Sequence, residues 1–200
     1  MTANYILLGI LWLLYGFLHS ALASEGWKRF MKAIMKSNFI LYRIFYILFA
    51  FVFLAGIIFY QVNLPVIILF KKTLSIIFLG YLMTATGAII MMICVKKYFL
   101  NLSGLRSLFE KRMTHKLIIT GIHKYVRHPL YLGTFIFLWG LFLLYPYLSL
   151  FIADFIITIY TLIGIRFEEE KLILEYGEDY KQYQLKVPML LPGFKTGRFI

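Results

Sequence analysis

Five stretches of this chain, residues 6–23, 39–60, 73–95, 129–145 and 147–165, carry almost no polar residues on any helical face. A helix needs about 20 mostly apolar residues to cross a bilayer, whereas a helix on a soluble core keeps a polar stripe toward water. The composition agrees, with 62% hydrophobic and only 15% charged residues. The expected fold class is therefore all-α: a polytopic membrane protein with about five transmembrane helices. The apolar run 62–70 is shorter and ends at Lys71 and Lys72, so it reads as interfacial or looped. No internal repeat, low-complexity tract or long flexible linker divides the chain. Residues 1–200 read as a single membrane domain.

Lysine and arginine set the expected orientation, because short loops rich in them stay in the cytoplasm. Lys28, Arg29, Lys32 and Lys36 follow the first run. Lys96, Lys97, Arg106, Lys111, Arg112, Lys116, Lys124 and Arg127 fill the segment before the fourth, while the Tyr145-Pro146-Tyr147 link is uncharged. The amino terminus is expected outside and the carboxyl tail inside, with Lys71 and Lys72 as the one violation. The net charge of +12 then reflects this bias and attraction to anionic lipid headgroups, and no nucleic-acid partner is invoked. Ala21-Leu22-Ala23 imitates a signal-peptidase site. However, the basic residues follow the apolar run instead of preceding it, so the first span is expected to be retained. Cys94, the single cysteine, lies inside the third run and leaves no disulfide framework and no cysteine metal cluster.

Residues 121–135 read GIHKYVRHPLYLGTF, which crowds Lys124, Tyr125, Arg127 and His128 against Pro129 and a long apolar run. Proline at a first helical position, after a residue it biases away from helix, marks a helix start whose N–H groups and dipole favour an anion. Arg127 and Lys124 add positive charge there. Gly133 and Gly140 lie two turns apart on one face, which would let a neighbouring helix approach closely. The three-residue link makes the last two spans a tight antiparallel hairpin, so His128 and Tyr131 return to the depth of Arg166, Glu168 and Glu169. Glu168, Glu169 and Glu170 form a row that is costly near a membrane unless cations or ligand donors offset it. Their helix is expected to run to a cap at Gly177, followed by a cytoplasmic C-terminal helix. Together the two ends form a zwitterionic pocket with aromatic walls from Tyr125, Tyr131 and Tyr180.

Plainer roles stand beside these. Arg127 and His128, taken alone, read as interfacial anchors, and the glutamates as a solvated helix face. His19 reads as a satisfied interfacial histidine. Asp154, inside the fifth run, is either a functional group or a partner for nearby backbone. His115, His123 and His128 lack the spacing of a zinc site, so no metal is expected.

The run Arg127-His128-Pro129-Leu130-Tyr131-Leu132-Gly133 is followed by Glu168-Glu169 and then by Tyr176-Gly177-Glu178-Asp179-Tyr180-Lys181-Gln182-Tyr183 with Val187-Pro188 and Pro192. This set resembles the signature of integral-membrane S-adenosylmethionine-dependent methyltransferases typified by isoprenylcysteine carboxyl methyltransferase. His19-Ser20 with Trp27-Lys28-Arg29, Gly104-Leu105-Arg106, Gly164-Ile165-Arg166-Phe167-Glu168-Glu169 and Val187-Pro188-Met189-Leu190-Leu191-Pro192 are similar to the methanethiol S-methyltransferase and NnrU-type branch. The resemblance implies S-adenosylmethionine as cofactor, held by the part from about residue 96 to 192. His128, Pro129, Tyr131 and Gly133 would line its pocket, with Glu168 and Glu169 closing it, and Tyr125 and Arg127 join them from the residue chemistry. One departure is Gly164, where the carboxyl methyltransferases place an arginine; here Arg166 stands two positions before the glutamate pair.

The expected function is methyl transfer from S-adenosylmethionine to a small or lipophilic thiol. Arg166 and Glu169 are the candidate catalytic residues, Arg166 as a fixed cation favouring the reactive thiolate. Two alternatives stay open: carboxyl or lipid methylation of a prenylcysteine or isoprenoid, and a non-catalytic NnrU-type membrane protein. The expected partners are the substrate and membrane lipids.

Overall fold

A computed structural model describes residues 2–102, 117 and 119–191. Its helices are α1 (Thr2–Ala23), α2 (Glu25–Met35), α3 (Phe39–Val62), α4 (Leu74–Leu102), α5 (Pro129–Leu144), α6 (Leu148–Tyr176) and α7 (Glu178–Lys186). Thr2–Ala23, Glu25–Val62, Leu74–Lys96 and Leu148–Tyr176 are long and apolar enough to cross a membrane. The protein is an all-α integral membrane protein.

The helix expected as the fourth of five spans is the exception in length. α5 has 16 residues, about 24 Å of rise, against a hydrocarbon core of about 30 Å. Four helices, not five, thus reach spanning length among the described residues. Chain chemistry fixes both limits of α5. Pro129 occupies its first position, and Pro146 disfavours helical geometry at Tyr145 before it.

The chain forms two compact units, and α6 contributes to both. The first comprises Met1–Lys71 and Pro146–Tyr160. Its core gathers Tyr5, Leu8 and Trp12 of α1, Ile57 of α3, Leu64, and Ala153 of α6. Polar ends of aromatic residues are satisfied within it. The Trp12 indole donates to Gln61 Oε1 at 3.0 Å, and the Tyr5 hydroxyl donates to the Pro65 carbonyl. The run after α3 is irregular, as its length suggested. Leu69 N donates to Pro146 O at 2.8 Å and Leu148 N to Ile67 O at 2.9 Å, which gives non-helical backbone the partners it must have.

The second unit comprises Lys72–Tyr145 and Thr161–Ile200. Here α4 and α5 pack along their glycines. A Cβ added to Gly87 would lie 2.5 Å from the Phe137 nitrogen and 2.7 Å from the Gly133 carbonyl oxygen, and one on Gly140 would lie 2.6 Å from the Thr84 nitrogen. Only glycine lets two backbones meet this closely. The close neighbour that Gly133 and Gly140 anticipate is therefore α4. Lys72 Nζ donates to Leu144 O at 2.9 Å and stands 5.8 Å from the centre of the Tyr145 ring. It caps the carbonyl end of α5, a local role that accounts for a cation where the orientation pattern has no place for one. Gly177 ends α6 with φ of 58°, a conformation that side chains resist, and α7 starts at the next residue.

Candidate functional site

All the bonds of the candidate site lie in the second unit. The preference of a residue before proline keeps His128 out of the helix, at φ −120° and ψ 66°, and its side chain does not cap α5. The imidazole can therefore turn elsewhere. Two backbone bonds tie this turn to the C-terminal segment: Arg127 N donates to Pro188 O at 2.9 Å, and His128 N to Met189 O at 3.1 Å. Tyr183 donates to the His123 carbonyl at 2.6 Å, and His123 Nδ1 lies 3.1 Å from Arg127 O.

Glu169 is the hub. Arg127 grips it with a two-point fork, Nε to Oε1 at 2.6 Å and Nη2 to Oε2 at 3.1 Å. His128 Nε2 bonds Oε1 at 3.0 Å, Gln184 donates to Oε2 at 3.0 Å, and the Tyr180 hydroxyl reaches Oε1 at 3.4 Å. A carboxylate left with only 14% of its side chain exposed is tolerated because its lone pairs are met by donors, two of them from a cation. Burial, and then the Glu169 charge, raise the pKa of Tyr180. Its phenol stays protonated and remains a donor.

Arg127 Nη1 also donates to Val187 O at 2.6 Å and Gln184 O at 3.2 Å. Four of the five N–H groups of a guanidinium are thus spent on protein. Arg127, expected to serve the anionic group of a ligand, instead clamps the C-terminal segment to Glu169. The reason is that its side chain is buried, with 5% exposed, where a guanidinium without partners would be costly.

Glu168 differs from its neighbour. Its side chain is 44% exposed. Oε2 accepts from the Tyr131 hydroxyl at 2.9 Å and lies 4.0 Å from His128 Nδ1. The rings of His128 and Tyr131 stack at 5.8 Å between centres. An accessible carboxylate therefore stands beside a half-buried phenol and a buried imidazole, next to the start of a helix whose first-turn N–H groups have no acceptor within the helix. Such a set suits a zwitterionic or polyhydroxylated ligand: carboxylate and imidazole for ammonium or hydroxyls, amide groups for a negative end.

The other expected site residues fall elsewhere. Pro129 is buried at the start of α5. Gly133 faces α4, where a Cβ would come within 2.9 Å of Ile90. Tyr125 is 69% exposed, and Arg166 is exposed on α6 outside the bonds around Glu169. Glu178 and Asp179 are exposed. Gln184, His123 and the carbonyls of Gln184 and Val187 belong to the cluster without having been anticipated. A backbone carbonyl carries no side-chain signature, so only the Tyr180–Tyr183 motif hinted that this segment returns to Arg127.

The phospholipid methyltransferase family, PEMT, matches residues 75–179, more than half of the chain and a range that holds Arg127–Gly133 and the Glu168–Glu169 pair. A methanethiol S-methyltransferase of Crocosphaera subtropica is 35% identical over 122 residues, which is 56% of this chain and 46% of its own length. Methanethiol S-methyltransferase 1 of Bradyrhizobium diazoefficiens is 41% identical over 71 residues, 36% of this chain and 24% of its own. The protein-S-isoprenylcysteine O-methyltransferase of Schizosaccharomyces pombe is 34% identical over 84 residues, 42% and 36% of the two chains. The chain thus spans less than half the length of these curated relatives. No solved structure matches it. By the match across more than half its length, the chain belongs to the phospholipid methyltransferase family.

Proposed function

We propose that this protein is a membrane methyltransferase that uses S-adenosylmethionine and methylates a small or lipophilic thiol. The observation that carries the proposal is the meeting of His128 and Tyr131 with Glu168 and Glu169, some forty positions on, within hydrogen-bonding distance. The names of relatives such as the Crocosphaera protein favour a thiol acceptor.

When bound, the cofactor would supply a sulfonium methyl group for transfer to the acceptor sulfur, with S-adenosylhomocysteine as the other product. This chemistry asks the chain for alignment and dryness more than for acid–base work. Glu168 and His128 would bind the ammonium or ribose hydroxyls, and Tyr131 would orient Glu168. The Arg127–Glu169 clamp would hold His128 at its angle, so Glu169 acts here as a positioning residue. Arg166 is the proposed cation beside the acceptor, where its fixed charge would favour the thiolate once the thiol proton is lost to solvent.

We further infer that α5, though short, crosses the membrane as a fifth span, and that the amino terminus lies outside, with the carboxyl tail and the site on the cytoplasmic side, from the lysine and arginine distribution; the bacterial relatives favour a bacterial inner membrane. Single cysteines at Thr2 and Thr196 in a Cys94→Ala background should label from opposite sides of intact cells. Labelling of both from one side would overturn this inference.

A second reading, carboxyl or lipid methylation, is favoured by the family description and by the isoprenylcysteine relatives. Purified protein incubated with methyl-labelled S-adenosylmethionine and methanethiol should give labelled dimethyl sulfide. If only a prenylcysteine or a phospholipid accepts label, the second reading replaces the first. If the protein neither transfers label nor binds the cofactor, the non-catalytic reading stands.

A further inference from the structure

Helix α2 (Glu25–Met35) divides its residues sharply. At 100° per residue, Phe30, Ile34, Trp27, Met31 and Met35 fall within an arc of about 140°. Lys28, Arg29 and Lys32 share the opposite side, with Lys36 just beyond the helix. Glu25 is its only acidic residue and pairs with Lys28 at 3.0 Å. No residue of α2 is buried, and Trp27, Phe30 and Ile34 are 42%, 55% and 61% exposed. Such an apolar arc in water would be a liability.

Connectivity removes that problem. Ser24 alone separates α2 from α1, and the turn Lys36–Asn38 leads into α3. Both neighbours are apolar helices of membrane-spanning length, 22 residues in α1 and 24 in α3, so α2 starts and ends at a bilayer surface. Its start is fixed by the Tyr42 hydroxyl, which donates to Leu22 O at 2.6 Å, and by the Ser24 side chain, which accepts from Trp27 N at 3.3 Å. A helix with one apolar and one cationic face, tethered at the interface, is suited to lipid of opposite charge.

We propose that α2 lies in the membrane interface with Trp27, Phe30 and Ile34 among acyl chains, and that Lys28, Arg29 and Lys32 bind anionic phospholipid headgroups there. This corner of the protein gathers anionic lipid in preference to zwitterionic lipid. Trp27, on the apolar arc beside Lys28, is a native reporter.

The full chain is placed in nanodiscs containing equal fractions of either brominated phosphatidylglycerol or brominated phosphatidylcholine, and fluorescence quenching is measured with and without Trp27→Phe. The Trp27-dependent quenching should be at least about twofold stronger with the anionic lipid, given several cations near the surface. The preference should vanish in K28Q/R29Q/K32Q, while quenching by the neutral lipid persists. It should also vanish at about 1 M salt, where charge is screened beyond about 3 Å. Equal quenching by the two lipids in the wild type overturns the proposal, as does a preference that survives the triple substitution. If the triple variant fails to fold, the salt arm decides, and a preference that survives it overturns the proposal.

Discussion

The contact between α4 and α5 and the cluster around Glu169 belong to the same unit, yet they are held by opposite means. Along α4 and α5 the decisive feature is missing side chain: Gly87, Gly133 and Gly140 let the backbones touch. Around Glu169 the decisive feature is polar saturation, with Arg127, His128, Gln184 and Tyr180 converging on one carboxylate. In lipid the hydrophobic effect does not drive helices together, so close van der Waals packing must. A buried charge, by contrast, persists only where donors surround it. The first region tolerates no added methyl, and the second tolerates no lost donor.

The contrast can be broken most severely at Arg127. Arg127→Met should lower stability by about 3–5 kcal/mol, because it leaves the Glu169 charge buried without its cation. The thermal midpoint in detergent would report this, and Arg127→Lys should recover only part, since an ammonium cannot make the two-point fork. Next in size is Gly87→Ala, expected to cost about 1–3 kcal/mol by forcing α4 from α5. In the first unit Gly16→Ala should cost less, since the nearest atoms belong to the Tyr160 ring at 3.0–3.4 Å, and Gly9→Ala should be near neutral, with nothing closer than 3.8 Å. Melting of the three variants side by side checks the order, and equal losses would deny that backbone contact sets the cost. At the rim a small loss of binding is expected without a loss of stability. Tyr131→Phe should leave the melting temperature unchanged and weaken S-adenosylmethionine binding by about 0.5–1.5 kcal/mol, the worth of one hydrogen bond.

Much of this arrangement can be read from residues alone, and the limits of that reading are physical. Apolar runs locate the spanning helices because lipid enforces a length and a composition. They do not show how short a helix becomes when proline sits at its start and again just beyond its end, as with the 16-residue α5. The encounter of His128 with Glu169 follows from a link too short for anything but a helical reversal. The partition between Glu168 and Glu169 does not follow, because adjacent residues on a helix are rotated by about 100° and their burial depends on what packs there. For the same reason Arg127 reads as available to a ligand, although the carbonyls of Gln184 and Val187 and the carboxylate of Glu169 engage it.

The exposed member of the glutamate pair offers the most direct test. Calorimetric titration of folded Glu168→Gln with S-adenosylmethionine should show affinity reduced by about tenfold, as expected when a polar partner of a ligand is lost. Its melting temperature should stay at the wild-type value, because a side chain with 44% exposure bears little of the fold. Wild-type affinity in the folded variant would contradict the assignment of the His128, Tyr131 and Glu168 rim as the cofactor site.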